Sequence, residues 1–159
     1  AELSVGVSYR PSDKWIFNFD YNRAFWSAYR SLDIVFDDPN FAPAVSPRNY
    51  KDSDIYRFGL QYSMNDKLDL RAGYYYDDSP VQPGFFAPET PRNDSQGHTI
   101  GLSYHVNEKL SIDASFLYLR FNETEASFDP FFENGVQVPF RGTFKSNAFL
   151  PGIGVSYNF

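Results

Sequence analysis

The chain has 159 residues, the length of a single domain, and its 14 Lys and Arg against 20 Asp and Glu give a formal net charge of −6. Without a basic run it lacks the signature of a nucleic-acid-binding protein. Without cysteine it has no disulfide scaffold, cysteine-ligated zinc site or thiol nucleophile. An aromatic content of 19% excludes a chain that is disordered as a whole, and no run of about 18 apolar residues predicts a transmembrane helix.

Seven segments of the sequence alternate between apolar and polar residues. In chain order they cover residues 3–9, 15–21, 56–62, 68–76, 99–106, 110–118 and 149–159. A period of two residues predicts β-strands. One set of alternate positions is apolar throughout. The other set is small, polar or charged, and its only apolar members are Ile16, Tyr75 and Leu150.

Aromatic residues border the apolar face of the predicted strands. They stand at or near the segment ends, at Tyr9, Trp15, Tyr62, Tyr104, Tyr157 and Phe159. An apolar face with aromatic borders, opposite a small polar face, is typical of an outer-membrane β-barrel. The alternative is a soluble β-sandwich that binds glycans through its aromatic residues, although the segments of a sandwich are usually shorter.

A short motif recurs between pairs of predicted strands. It reads YRPSDK at 9–14, YSMNDK at 62–67 and YHVNEK at 104–109, and it predicts three tight hairpin turns of one type. The other connections are long, at 37–54, 77–97 and 122–142, and hold most of the proline. Short turns on one side and long loops on the other are expected for periplasmic turns and extracellular loops.

The second strand has an irregularity. Phe25 and Trp26 are adjacent, and the apolar phase then shifts by one residue. Such a shift predicts a β-bulge or kink. It is either a structural irregularity near the barrel rim or a bend that shapes the lumen or opens the wall.

Seven strands do not fit a closed bacterial barrel, because such barrels have an even number of strands. An open sheet edge in lipid is also unfavourable, because its backbone groups have no hydrogen-bond partners. The chain is then part of a larger barrel, or an eighth strand lies within 123–142, where Val136, Val138 and Phe140 alternate. We favour the larger barrel. In that case residues 3–9 pair with 15–21 and not with 149–159.

Several segments carry a family resemblance: DSDIYRFGLQY (52–62), NDKLDLRAGYYYD (65–77), PETP (88–91), NEKLSID (107–113) and PGIGVSYNF (151–159). Together they resemble the FadL/TodX family of outer-membrane transporters for long-chain fatty acids and other hydrophobic compounds. The resemblance implies an all-β, transmembrane antiparallel barrel of fourteen strands. Residues 1–159 would be one incomplete domain, the C-terminal half, lacking its N-terminal partner strands. Phe159 resembles the terminal residue of the signal that the barrel-assembly machinery reads.

The resemblance also implies a function. The protein would lie in the bacterial outer membrane among lipid and lipopolysaccharide, bind a hydrophobic small molecule in the barrel lumen and release it laterally, without enzymatic activity or a cofactor. Arg48 is the candidate cation for a ligand carboxylate, or else a solvated loop charge. Phe85 and Phe86 are candidates for ligand capture, or else pack between loops. The alternative function is a small structural or adhesion-type barrel without transport.

The titratable residues do not predict catalysis or a metal site. Neither His98 nor His105 has a serine at the spacing of outer-membrane lipases, and no Ser-His-Asp set is expected. The polar face carries acids and arginines, which we interpret as lumen ion pairs in preference to acid–base catalysts. They are Asp20, Asp69, Asp113, Arg57 and Arg71.

Overall fold

The computed structural model describes residues 1–38, 40–138 and 140–159. Its strands in chain order are β1 (Glu2–Ser12), β2 (Trp15–Ala24), β3 (Ser31–Ile34), β4 (Ala44–Pro47), β5 (Ser53–Asn65), β6 (Leu68–Asp77), β7 (Ser95–His105), β8 (Leu110–Phe128), β9 (Phe132–Glu133), β10 (Val136–Gln137) and β11 (Phe140–Tyr157). A single turn of 3₁₀ helix covers Trp26–Ala28. In the described part of the chain no helix has the length and apolarity needed to cross a membrane.

Seven of these strands form one antiparallel sheet in the order β1-β2-β5-β6-β7-β8-β11, so neighbours in the sheet are also neighbours among the long strands of the chain. Each predicted segment falls on one of them. The sheet is not closed, because β1 pairs with β2 and β11 with β8, and no pairing joins β1 to β11 within the described residues. The prediction of an open edge is therefore confirmed.

The alternative of an eighth wall strand within 123–142 is wrong for the described residues. Val136 and Gln137 pair only with β9, in a two-residue ladder outside the main sheet, and Phe140 already belongs to β11. The segment 122–142 is also not one long loop, contrary to our expectation, because β8 runs on to Phe128 and pairs with the start of β11 at Phe140.

The side chains on the apolar face of the sheet are exposed or half-buried, and none of them is fully buried. Val7, Ile100 and Ile153 are 61%, 65% and 86% exposed. Aromatic rings pair across neighbouring strands on this face, with centroids 4.4 Å apart for Trp15 and Tyr62. A continuous apolar face of this size is unfavourable in water, whereas it matches the lipid-facing surface of an outer-membrane barrel.

The opposite face carries a hydrogen-bonded polar network, as expected for a barrel lumen. Arg71 Nε donates to Gln61 Oε1 at 2.9 Å and Nη1 to Ser103 Oγ at 2.5 Å, and Ser103 in turn donates to Asp113. Arg71 also lies 3.8 Å from Asp69, so this predicted ion pair is present. Arg57 stands beside Asp20 in the register but donates to Asn22.

The same type of hydrogen bond forms in each of the three short turns. In each turn the backbone N–H of the lysine donates to the side-chain oxygen two residues earlier, from Lys14 to Ser12 at 3.4 Å, and from Lys67 to Asn65 and Lys109 to Asn107 at 2.9 Å. This is the local bond by which Ser and Asn side chains stabilise turns. The first two motifs form two-residue turns, at 13–14 and 66–67, whereas the third connects β7 to β8 through four residues, 106–109, so the prediction of one turn type is correct for two of the three.

The predicted bulge in the second strand is wrong. β2 ends at Ala24, and the 3₁₀ turn Trp26–Ala28 leads the chain into a separate hairpin of β3 and β4. The apolar residues after Phe25 change phase because they leave the barrel wall and enter a loop structure.

Candidate functional site

A cavity of about 480 Å³ lies where the polar face meets the long loops. Five aromatic side chains contribute to its wall, Trp26, Tyr29, Tyr50, Tyr75 and Phe121. The remaining lining is mixed, with aliphatic, proline, hydroxyl and charged side chains. We call this space the aromatic cavity.

The barrel wall supplies one side of the aromatic cavity. Tyr75 comes from β6, and Phe121 comes from β8. Tyr75 pairs with Gly97 of β7 across the sheet, and its ring occupies the space that a β-carbon at Gly97 would need. The glycine therefore allows the large Tyr75 ring to lie across the polar face.

The loops supply the other side. Trp26 belongs to the 3₁₀ turn, and the half-buried Tyr29 follows it. Both rings meet Tyr50 edge-on, at centroid distances of 6.4 Å and 6.0 Å. Tyr50 is only 7% exposed and so forms the centre of this cluster.

Asp52 fixes the 3₁₀ turn to the start of β5. The Ser27 backbone N–H donates to Asp52 Oδ1 at 3.1 Å. Hydrogen bonds from the Ser27 hydroxyl and backbone hold the pKa of the Asp52 carboxyl below its ordinary value. The turn, and Trp26 with it, is thus attached to the sheet by an ionised carboxylate.

Two charged groups line the aromatic cavity, and they bind each other. Arg92 Nη2 lies 2.9 Å from Asp77 Oδ1 and 2.7 Å from Oδ2. The Arg92 guanidinium also lies 5.7 Å from the centroid of the Trp26 ring, within the range of a cation–π contact.

Arg48, the predicted carboxylate ligand, is buried rather than solvated. Only 1% of its side chain is exposed, and Nη2 lies 2.5 Å from Glu89 Oε1. Its guanidinium lies 5.9 Å from the Tyr29 centroid, and its Nε makes no hydrogen bond within the described residues. Burial raises the pKa of Glu89, but hydrogen bonds from its own backbone and from Arg48 outweigh burial and lower it.

Phe85 and Phe86 lie apart from Arg48, against β8 and β11. Phe86 is 3% exposed and packs on Phe144 with centroids 4.5 Å apart, and Phe85 forms an isolated bridge with Phe128. The structure does not bring these phenylalanines and Arg48 into one site. A ligand-binding role for the three stays a prediction.

Most residues of the aromatic cavity are not predicted by the sequence. The sequence marks only Tyr75, because it is a large aromatic residue among the small and polar residues of the polar face. Trp26, Tyr50 and Arg92 stand in irregular segments with no periodicity, so the sequence gives no sign that they meet.

A second correction concerns His105. Its Nδ1 lies 2.9 Å from Ser111 Oγ and its Nε2 lies 3.2 Å from Asp69 Oδ2, so the described residues do contain a Ser-His-Asp chain. The strand register creates it, because Ser111 is the cross-strand partner of His105. Asp69 also accepts a hydrogen bond from the Ser63 hydroxyl at 2.6 Å. We interpret this set of side-chain hydrogen bonds as a structural link between neighbouring strands near the short turns.

Comparison with known proteins places this geometry in context. The family model for outer membrane protein transport protein (OMPP1/FadL/TodX) matches residues 1–159. No curated protein sequence matches the chain.

Solved structures share the fold. A FadL homologue of Pseudomonas aeruginosa superposes with a TM-score of 0.85 at 18% identity, over 98% of this chain and 35% of that one. The toluene transporter TodX of Pseudomonas putida has a TM-score of 0.64 at 21% identity, over 99% and 34%. The toluene transporter TbuX of Ralstonia pickettii superposes with a TM-score of 0.58 at 22% identity, over 98% of this chain and 33% of that one. The chain spans about a third of the length of these relatives.

Proposed function

Since this chain belongs to the outer-membrane transport protein family OMPP1/FadL/TodX, we propose that its aromatic cavity binds a hydrophobic small molecule during transport across the outer membrane. The family is one of transport proteins of the outer membrane. The cavity as the binding place, the identity of the ligand and its lateral release into the membrane are the parts that we propose.

The observation that carries the proposal is a cluster of aromatic rings at the loop end of the polar face. Most of that face is small or polar, with a hydrogen-bonded network around Arg71, so a cluster of aromatic rings there is unusual. Ligand sites of proteins are typically concave and lined by aromatic and apolar side chains with few polar groups. The aromatic cavity has this composition and a volume of about 480 Å³.

Two ligand classes follow from the relatives and the family resemblance. Two of the solved relatives, TodX and TbuX, are transporters of toluene, and the family resemblance implies long-chain fatty acids. Arg48, as the partner of a fatty-acid carboxylate, would have to exchange Glu89 for the ligand. Phe85 and Phe86 would be earlier contacts on the loop surface. We also propose that the protein lies among outer-membrane lipid and lipopolysaccharide, and that the barrel-assembly machinery recognises Phe159.

The experiment compares two phenylalanines of β8 on opposite faces. In the full-length protein in detergent, Phe121→Ala removes a ring from the aromatic cavity, and Phe116→Ala removes one from the exposed apolar face. We expect Phe121→Ala to weaken binding of toluene or laurate by about tenfold, because a lost aromatic contact costs roughly 1 kcal/mol or more. Phe116→Ala leaves binding unchanged. Equal effects of the two substitutions, or none, would contradict the proposal.

A further inference from the structure

The aromatic cavity has a specific charge arrangement. The two charged side chains that line it, Arg92 and Asp77, are 33% and 19% exposed and form an ion pair. The Arg92 guanidinium also contacts the Trp26 ring. Asp77 thus neutralises the charge of Arg92, although only Nη2 of the guanidinium binds it, and a second carboxylate would meet an ion pair without net positive charge.

Two further arginines, Arg48 and Arg57, also have partners of their own and do not line the cavity. Arg48 is buried against Glu89 behind the Tyr29 ring. Arg57 is the cross-strand neighbour of Tyr75 on β5, but it donates to Asn22 and does not line the cavity. The described lining therefore consists of aromatic, aliphatic, proline and hydroxyl side chains and one ion pair without net charge.

We infer that Asp77 is a specificity-determining residue: by holding Arg92, it makes the aromatic cavity select uncharged ring compounds over carboxylates of the same size. The inference deepens the proposed function and rests on it. An uncharged ring can stack on the aromatic wall without loss of hydrogen bonds to water. A carboxylate would lose its hydration and stand beside the Asp77 carboxylate, without a free cation to compensate.

The test uses toluene and benzoate, which match in ring size and differ in charge. Equilibrium binding to the full-length protein in detergent is expected to favour toluene by about tenfold or more. Asp77→Asn keeps the shape of the side chain and removes its negative charge, so the positive charge of Arg92 is no longer compensated. It should raise benzoate affinity by about tenfold, the value of one charge-assisted hydrogen bond, and change toluene affinity by less than about threefold.

The matched control is Asp78→Asn. Asp78 is the next residue, pairs with Lys51 at 2.9 Å and does not line the aromatic cavity, so both affinities should stay as in the unchanged protein. Asp77→Ser also removes the charge and replaces Asp77→Asn if that variant does not fold.

Each outcome has one meaning. Equal binding of toluene and benzoate by the unchanged protein overturns the inference, and so does a folded Asp77 variant with an unaltered ratio. In both cases the proposed function stands if Phe121→Ala still weakens binding. If neither ligand binds and Phe121→Ala has no effect on laurate, the proposed function fails and the inference fails with it.

Discussion

The Tyr75 ring lies across the polar face because its partner on β7 is Gly97. A β-carbon at Gly97 would overlap three atoms of that ring. Real side chains do not tolerate such overlap, so the ring of a Gly97→Ala variant has to rotate away from the sheet. At the residue scale, then, a glycine outside the cavity lining determines the position of a lining residue.

We expect Gly97→Ala to weaken toluene binding by severalfold, because the displaced Tyr75 ring no longer forms the cavity wall. Gly101→Ala is the control on the same strand and face, where a new β-carbon finds its nearest atom at 3.4 Å. In a Tyr75→Ala background Gly97→Ala should have no further effect, which a double-mutant cycle measures. Additive losses would show that Gly97 does not act through Tyr75.

Some residues of the candidate site can be predicted from the sequence, and others cannot. Tyr75 could be marked from the sequence, because alternation makes a large aromatic on the polar face an exception. Arg48 could be marked as a cation but not as a buried one, because Glu89 reaches it from another loop. Contacts between irregular segments depend on the tertiary path of the chain, which has no local pattern.

At the element scale, alternation located the strands within the membrane but not their ends. β8 and β11 continue past the predicted limits, and Lys145 pairs with Glu123 on this extension at 3.2 Å. Where both faces of a sheet meet water, no residue has to be apolar, so the period-two signal disappears while the backbone ladder continues. The predicted bulge in the second strand is wrong for the opposite reason. The apolar residues within 26–36 keep a regular spacing, but they belong to the 3₁₀ turn and the β3–β4 hairpin and not to the barrel wall.

The two faces of the central strands give a prediction at this scale. Ile100 of β7 is exposed on the apolar face, and Ser115 of β8 faces the opposite way, beside Gly101. In lipid vesicles Ile100→Arg should lower the free energy of unfolding by about 2–4 kcal/mol, because it places a charge among lipid chains. Ser115→Arg should change it little. Similar losses in denaturant titrations of both variants would contradict the assignment of the faces.

At the scale of the whole molecule, the sheet has two unpaired edges. The outer edge of β1 and the outer edge of β11 have no partner strand within the described residues. Each backbone group without a hydrogen bond costs several kcal/mol in lipid, so seven strands with open edges cannot form a stable wall alone. The open sheet was predictable from strand parity, and we expect the strands that close the barrel to lie outside residues 1–159.

We therefore expect a polypeptide of residues 1–159 alone not to refold into vesicles as a monomer with the heat-modifiable gel mobility of a barrel, and the full-length protein to do so. The cysteine-free sequence allows a direct check, with Val7→Cys on β1 and Ile153→Cys on β11 introduced together. If the isolated chain closed on itself, β1 and β11 would become neighbours, and a disulfide could form between adjacent strands. A heat-modifiable monomer carrying that disulfide would refute the larger barrel and support the small closed one, because only direct pairing of β1 with β11 removes both edges from lipid.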